Sequence, residues 1–232
     1  MRENAGDEFW LGDSNGPMGD VGAFMDSELR VDRADLAGHL LQLEAPRNLI
    51  AIVGAPGAGK SRLAGELAEA LNARAPNSAA ILAMDGFHLD NAVLEARFMR
   101  HIKGAPETFD MAGLHAQILA LKHAEHDLPI PVFDRGADTV VPAGAVVPGR
   151  ARFVLVEGNY LLLARPGWRE LAPLFDLSVR IAVPEAELRR RLRARWQGLP
   201  EAEALRRIEE NDLPNGRMLR RESRAADLVI TD

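Results

Sequence analysis

The chain has 232 residues, 28 Lys+Arg against 34 Asp+Glu, a formal net charge of −6 and no cysteine. Its 47% hydrophobic content supports a buried core and excludes a disordered chain. The acid surplus excludes a broadly basic nucleic-acid coat, and the missing cysteines exclude disulfide scaffolds, thiolate metal sites and Cys nucleophiles.

Residues 1–26 carry no apolar periodicity and read as a flexible N-terminal extension, with Met18 or Met25 as later candidate starts. The rest, 27–232, suits one domain. Asp32 to Leu43 reads as a helix with Leu36, Leu40 and Leu43 on one face. Leu49 to Val53 is a continuous apolar run, the mark of a strand buried on both faces. A glycine-rich turn follows, then a helix from Lys60 with Leu63, Leu67 and Leu71 in register. Further buried strands are predicted at Ala79–Met84, Arg152–Val156, Leu177–Val183 and Leu228–Thr231. Helices are predicted over about 91–103, 111–126, 184–197 and 201–210. Thr139–Val141 and Ala145–Val147 flank Pro142-Ala143-Gly144 and suggest a small hairpin outside the sheet. Alternating strands and helices predict an α/β fold with a five-stranded, mostly parallel sheet and helices on both faces. No apolar run approaches the ~18 residues of a membrane span, and no secretory signal is evident, so a cytoplasmic protein without membrane or nucleic-acid partners is expected.

Gly54-Ala55-Pro56-Gly57-Ala58-Gly59-Lys60-Ser61 fits G-x-x-x-x-G-K-[ST] between a buried strand and an amphipathic helix. Glycines there let backbone N–H groups turn inward around an anion, and the helix N-terminus adds its dipole. Lys60 would reach the β- and γ-phosphates and Ser61 would hold Mg²⁺. A GTPase would carry Asn-Lys-x-Asp, and no Asn here precedes Lys; the Leu-Ser-Gly-Gly-Gln signature of transport ATPases is also absent. A small ATP-dependent phosphotransferase remains.

Ligands of open α/β sheets bind beyond the carboxyl ends of the strands. Asp85 ends one strand and could take a proton from an attacking hydroxyl, or simply cap a turn. Glu157 ends another and could support Mg²⁺ through water, or be a charged strand terminus. The helix opened by Pro184 and Glu185 carries Arg191 and Arg195 on one side of a Leu188–Leu192–Trp196 seam, and Arg189 and Arg193 on the other. As a lid over about 184–199 it would give guanidinium groups to ATP; as a solvated face it would pair with Glu185 and Glu187.

Six stretches together resemble the phosphoribulokinase/uridine kinase family of P-loop kinases. They are the phosphate loop, Met84-Asp85-Gly86-Phe87-His88, Lys103-Gly104-Ala105-Pro106-Glu107-Thr108-Phe109-Asp110, Pro131-Val132-Phe133-Asp134-Arg135, Val156-Glu157-Gly158-Asn159-Tyr160-Leu161-Leu162, and Asn211-Asp212-Leu213-Pro214-Asn215. The third is similar to a type I pantothenate kinase stretch; the last two look like the fructose transport system kinase branch. The resemblance covers about 48–232.

It implies an ATP- and Mg²⁺-dependent kinase acting on a hydroxyl of a small molecule, with Asp85 as base. Lys60 and Ser61 would hold phosphates and metal, and Glu157 would support the metal. His88, Asp134 and Arg135 would line the acceptor pocket, and Asn159, Tyr160, Asn211 and Asn215 are weaker candidates. Asn215-Gly216 also reads as an ordinary turn. Uridine kinases carry a Tyr close after the base and a His after the Tyr-Asp segment. Here Phe87-His88 and Gly136-Ala137-Asp138 stand instead, which speaks against a nucleoside; pantothenate kinases differ around Val156 to Leu162, which leaves a sugar such as fructose or another small polyol as the first choice. The rival readings are an ATP- and metabolite-binding regulatory module that transfers nothing and, less favoured, a GTPase switch. A homodimer is left open.

Overall fold

The computed structural model describes residues 28–231, so the expected N-terminal extension at 1–26 lies outside the described residues. In chain order the elements begin β1 (Leu29–Arg30), α1 (Leu36–Leu41), β2 (Asn48–Val53), α2 (Lys60–Arg74), β3 (Ala79–Ala83), α3 (Asn91–Ala96), α4 (Met111–Lys122) and β4 (Leu128–Asp134). They continue β5 (Thr139–Val147), β6 (Phe153–Gly158), β7 (Leu177–Ala182), α5 (Glu185–Arg195), α6 (Glu201–Arg207), α7 (Leu213–Glu222) and β8 (Leu228–Thr231).

Six strands pair in parallel in the order β1-β8-β7-β2-β6-β3. The central strand β2 is buried throughout, and its period-2 alternation feeds two cores. Leu49, Ala51 and Val53 join the cluster built with α4, the hairpin and α7. Ile50 and Ile52 join the one built with α1, α2 and α5. Leu63, Leu67 and Leu71 bury one stripe of α2 against the second core, and Leu63→Ala there would cost about 2–5 kcal/mol. Among the described residues no helix is long and apolar enough to cross a membrane.

Several boundaries differ from the sequence reading. The sheet has six strands, not five: β1 is two residues long, too short for any periodic signal, and is held by pairing with β8. The hairpin is β4 with β5, turning at 135–138, so Pro142-Ala143-Gly144 is not its turn. Ile130 faces Ala145 while Val132 faces Val141, which leaves residues 142–144 as an irregularity inside β5. Pro142 has no N–H to give a ladder, and such a break is where a strand tolerates it. The helix expected over 91–103 ends at Ala96 and is followed by a 3₁₀ turn at Arg100–Ile102. The expected 201–210 helix passes into a π turn at Ile208–Asp212 and then into α7, so Asn215-Gly216 is helical rather than a turn. Pro214 follows directly on the π turn, and that irregular helical turn accommodates its missing N–H.

Candidate active site

Gly54 to Gly59 connect β2 to the N-terminus of α2. Gly57 has φ of 82° and Gly59 of 96°, left-handed values that suit glycine. A Cβ at Gly57 would also come within 3.2 Å of Leu192 Cγ, so the loop packs directly on α5. Lys60 is half-buried and its ammonium donates to the Ala55 carbonyl at 3.1 Å. Burial holds its pKa below the ordinary lysine value, while Glu157 and Asp85 pull the other way. Ser61 Oγ donates to Glu157 Oε1 at 2.7 Å. Glu157 is buried at the end of β6, and burial pushes its carboxyl up against the opposing pull of Lys60 and Ser61. Among the described residues no group of three or more His, Asp or Glu could hold a metal alone. One hydroxyl and one carboxylate beside a phosphate cradle are nevertheless all-oxygen donors, which fits Mg²⁺ sharing its shell with water and phosphate oxygens.

Asp85 lies in a 3₁₀ turn at the end of β3. The next residue must be glycine, because a Cβ at Gly86 would meet the Pro131 carbonyl oxygen at 2.5 Å. That close approach brings the hairpin over the turn, and Arg135 Nη2 donates to Asp85 Oδ2 at 2.6 Å. His88 stacks on Phe109 at 4.1 Å and tilts against Phe133 at 4.9 Å. Its Nε2 is 3.9 Å from Asp85 Oδ1, beyond hydrogen-bond reach, and its buried Nδ1 has no partner among the described residues. Burial lowers its pKa to about 4, with Asp85 opposing, so the ring is neutral.

Lys60, Ser61, Asp85, His88, Arg135, Glu157, Asn159, Arg191 and Arg195 all line one cleft of about 1300 Å³. Arg191 Nη1 lies 3.4 Å from the Ala58 carbonyl and its Nε donates to Glu187. Arg195 is an exposed residue of α5 whose guanidinium sits 5.0 Å over the Trp196 ring, and desolvation at the cleft together with nearby Arg135 lowers its pKa. Arg190 and Arg189 face elsewhere and pair with Glu187 and with Glu185 and Glu209. A second, largely apolar cavity of about 390 Å³ opens on the other side of Gly54 and Ala55, between Val53, Ile181, Val183 and Leu219.

Asp134 does not join the cleft. Its Oδ1 accepts from the Gly136 and Ala137 N–H groups at 2.8 and 3.0 Å, an Asx-type cap of the hairpin turn, so the expectation that it lines the pocket is corrected. Tyr160 is fully buried and donates to the Gly104 carbonyl at 2.6 Å, tying the end of β6 to the 103–110 stretch. Asn215 donates to Asn211, which donates to the Lys103 carbonyl. A polar cluster beside His88 was not foreseen from the sequence. Lys103 lies 4.8 Å over Phe133 and donates to Asn91 Oδ1 at 2.7 Å and Asp138 Oδ1 at 2.8 Å. The left-handed Asp138, φ 53°, has no sequence signal; only the third family stretch pointed to Lys103. Trp196 Nε1 donating to Asp212 at 2.8 Å was likewise unforeseen.

No protein-family model matches the chain. A Schizosaccharomyces pombe protein described as a candidate uridine kinase is 33% identical over 195 residues, 79% of this chain and 83% of that protein. YggC of Escherichia coli, of unassigned function, is 38% identical over 188 residues, 79% of this chain and 77% of that one. A crystal structure from Silicibacter sp. TM1040, described as a candidate fructose transport system kinase, is 42% identical with a TM-score of 0.79, covering 86% of this chain and 98% of that one. The chain belongs to the phosphoribulokinase/uridine kinase family of P-loop kinases. As a member of that family it is a small-molecule kinase acting on hydroxyl groups, and the family uses ATP and Mg²⁺ in general. The kinase's six expected stretches converge on the cleft or its walls.

Proposed function

We propose that this kinase transfers the γ-phosphoryl group of ATP to a hydroxyl of a sugar, fructose being the first candidate, with Asp85 as general base. The observation that carries the reading is that the phosphate loop and Asp85 open into the same cleft, near enough for Asp85 to act electrostatically on Lys60. The choice of a sugar rests on the 42% identity to the Silicibacter protein and on the residues that depart from uridine kinases.

The triphosphate lies along the loop N–H groups with Lys60 on its outer phosphates. The nucleoside base enters the apolar cavity beyond Gly54, whose lining is Val53, Ile181, Val183 and Leu219. Ser61 and Glu157 hold Mg²⁺, which supplies neutralising charge to the phosphate oxygens when bound. Arg135 keeps the Asp85 carboxylate aimed into the cleft until the acceptor hydroxyl arrives. Asp85 then receives the hydroxyl proton as the oxygen attacks in line, and Arg191 and Arg195 exclude water.

The test is ADP formation by purified protein with ATP and Mg²⁺ across fructose, other hexoses, pentoses, pantothenate and nucleosides. ADP release that requires a sugar supports the reading. ATP binding without acceptor-dependent ADP release would instead support a regulatory module.

A further inference from the structure

Nine Lys and Arg side chains against five Asp and Glu line the cleft of a chain whose net charge is −6. Lys60, Arg191 and Arg195 account for part of this surplus at the phosphate end. Another part lies around His88, whose ring feels the charges of Lys103 and Asp138. There Lys103 spends its protons inside the protein, on Asn91 Oδ1 and on the side chain and carbonyl of Asp138. Arg100 shares that same carboxylate, through one nitrogen, at 2.6 Å. One carboxylate between two cations leaves a positive charge over, and Arg100 keeps most of its guanidinium donors for the cleft.

The end of α6 faces this point. Asn211 Nδ2 donates to the Lys103 carbonyl at 3.0 Å, which brings the α6–π segment against the 100–103 turn. Arg206, from α6, lines the cleft and makes no hydrogen bond or ion pair among the described residues. Glu210, one turn on, offsets it in part; Arg207 is engaged with Glu203 and the Trp196 face.

We propose that the acceptor is itself an anion: a hydroxylated metabolite bearing a phosphate or carboxylate, which Arg100 and Arg206 hold at the cleft mouth while a hydroxyl faces Asp85. Guanidinium forks match both groups in two-point geometry. This rests on the kinase reading above and replaces uncharged fructose, the first candidate there, with a sugar or other metabolite that carries an anionic group. The acceptor oxygen forms a bond to the γ-phosphorus, the bond from that phosphorus to the β,γ-bridging oxygen breaks, ADP leaves, and Asp85 takes the hydroxyl proton.

Matched pairs test it: fructose against fructose 6-phosphate, glycerol against glycerate, and pantothenol against pantothenate, assayed by ADP release at low and raised salt. The expected result is kcat/KM about tenfold or more higher for the anionic member of at least one pair, falling with salt. The pair that shows it separates a phosphate from a carboxylate. Arg100→Gln with Arg206→Gln should bring that ratio to within about threefold of unity, and Arg206→Lys should restore much of it. Neutral members used equally well, or a ratio untouched by the double variant, overturns the proposal and leaves the kinase reading standing. Should no member release ADP, the acceptor turned over is none of these six. Calorimetric titration of the same pairs into protein holding Mg²⁺ and a non-hydrolysable ATP analogue then decides the proposal: preference for the anion sustains it, equal or absent binding ends it.

Discussion

His88 is neutral because the ring is packed between Phe109 and Phe133, where a charge would lose its water. Its pKa falls from 6.5 to about 4, so between those values the unfolded chain binds more protons than the native one. Stability should therefore decline as pH drops from about 6.5 toward about 4 and be flat, for this group, above it. The full effect is about 3 kcal/mol. Melting temperature against pH for wild type and His88→Gln checks this: the variant should lose most of the acid-side slope, and an unchanged slope would assign it to other groups. Glu157 has the opposite sign. Burial raises its pKa, so its charge burdens the empty protein. Glu157→Gln should leave the nucleotide-free melting temperature unchanged or higher. It should also raise the Mg²⁺ needed for half-maximal ADP formation by about tenfold. A variant with a normal Mg²⁺ requirement would remove Glu157 from the metal site.

The phosphate loop and α5 form one mechanical unit through Gly57 and Leu192. Gly57→Ala needs a left-handed alanine and crowds Leu192, at about 1–3 kcal/mol of strain. Urea melts should show that loss, and calorimetry a fall in ATP affinity of about tenfold or more; unchanged affinity would mean the loop's shape does not govern binding. This loop and α2 were legible in the sequence because glycine spacing and the Leu63–Leu67–Leu71 stripe are local signals. The hairpin was not, since Pro142 and Gly144 look like a turn until β4 is seen opposite them. Nor was α7, whose Leu213-Pro214-Asn215-Gly216 opening has the composition of a turn and is held helical by packing of Leu213, Met218 and Leu219.

The cleft lies at the carboxyl ends of β2, β3 and β6, where the phosphate loop, Asp85 and Glu157 line it. Which strands end in acids could be read from the chain; which distant groups reach them could not. Arg135 meets Asp85 across 50 residues and Lys103 meets Asp138 across 35, contacts set by the hairpin's approach to Gly86 rather than by any motif. Asp134 shows the same limit in reverse, a family-stretch residue whose carboxylate turned out to cap its own turn. The proposed mechanism has the loop hold the nucleotide while Asp85 acts on the acceptor. It is tested most directly by measuring acceptor-dependent ADP release and ATP-analogue binding on one preparation each of wild type and Asp85→Asn. Asp85→Asn should lower kcat by about 10²–10⁴ with analogue affinity within a few-fold of wild type. Full turnover in Asp85→Asn, or analogue binding lost along with turnover, would contradict it.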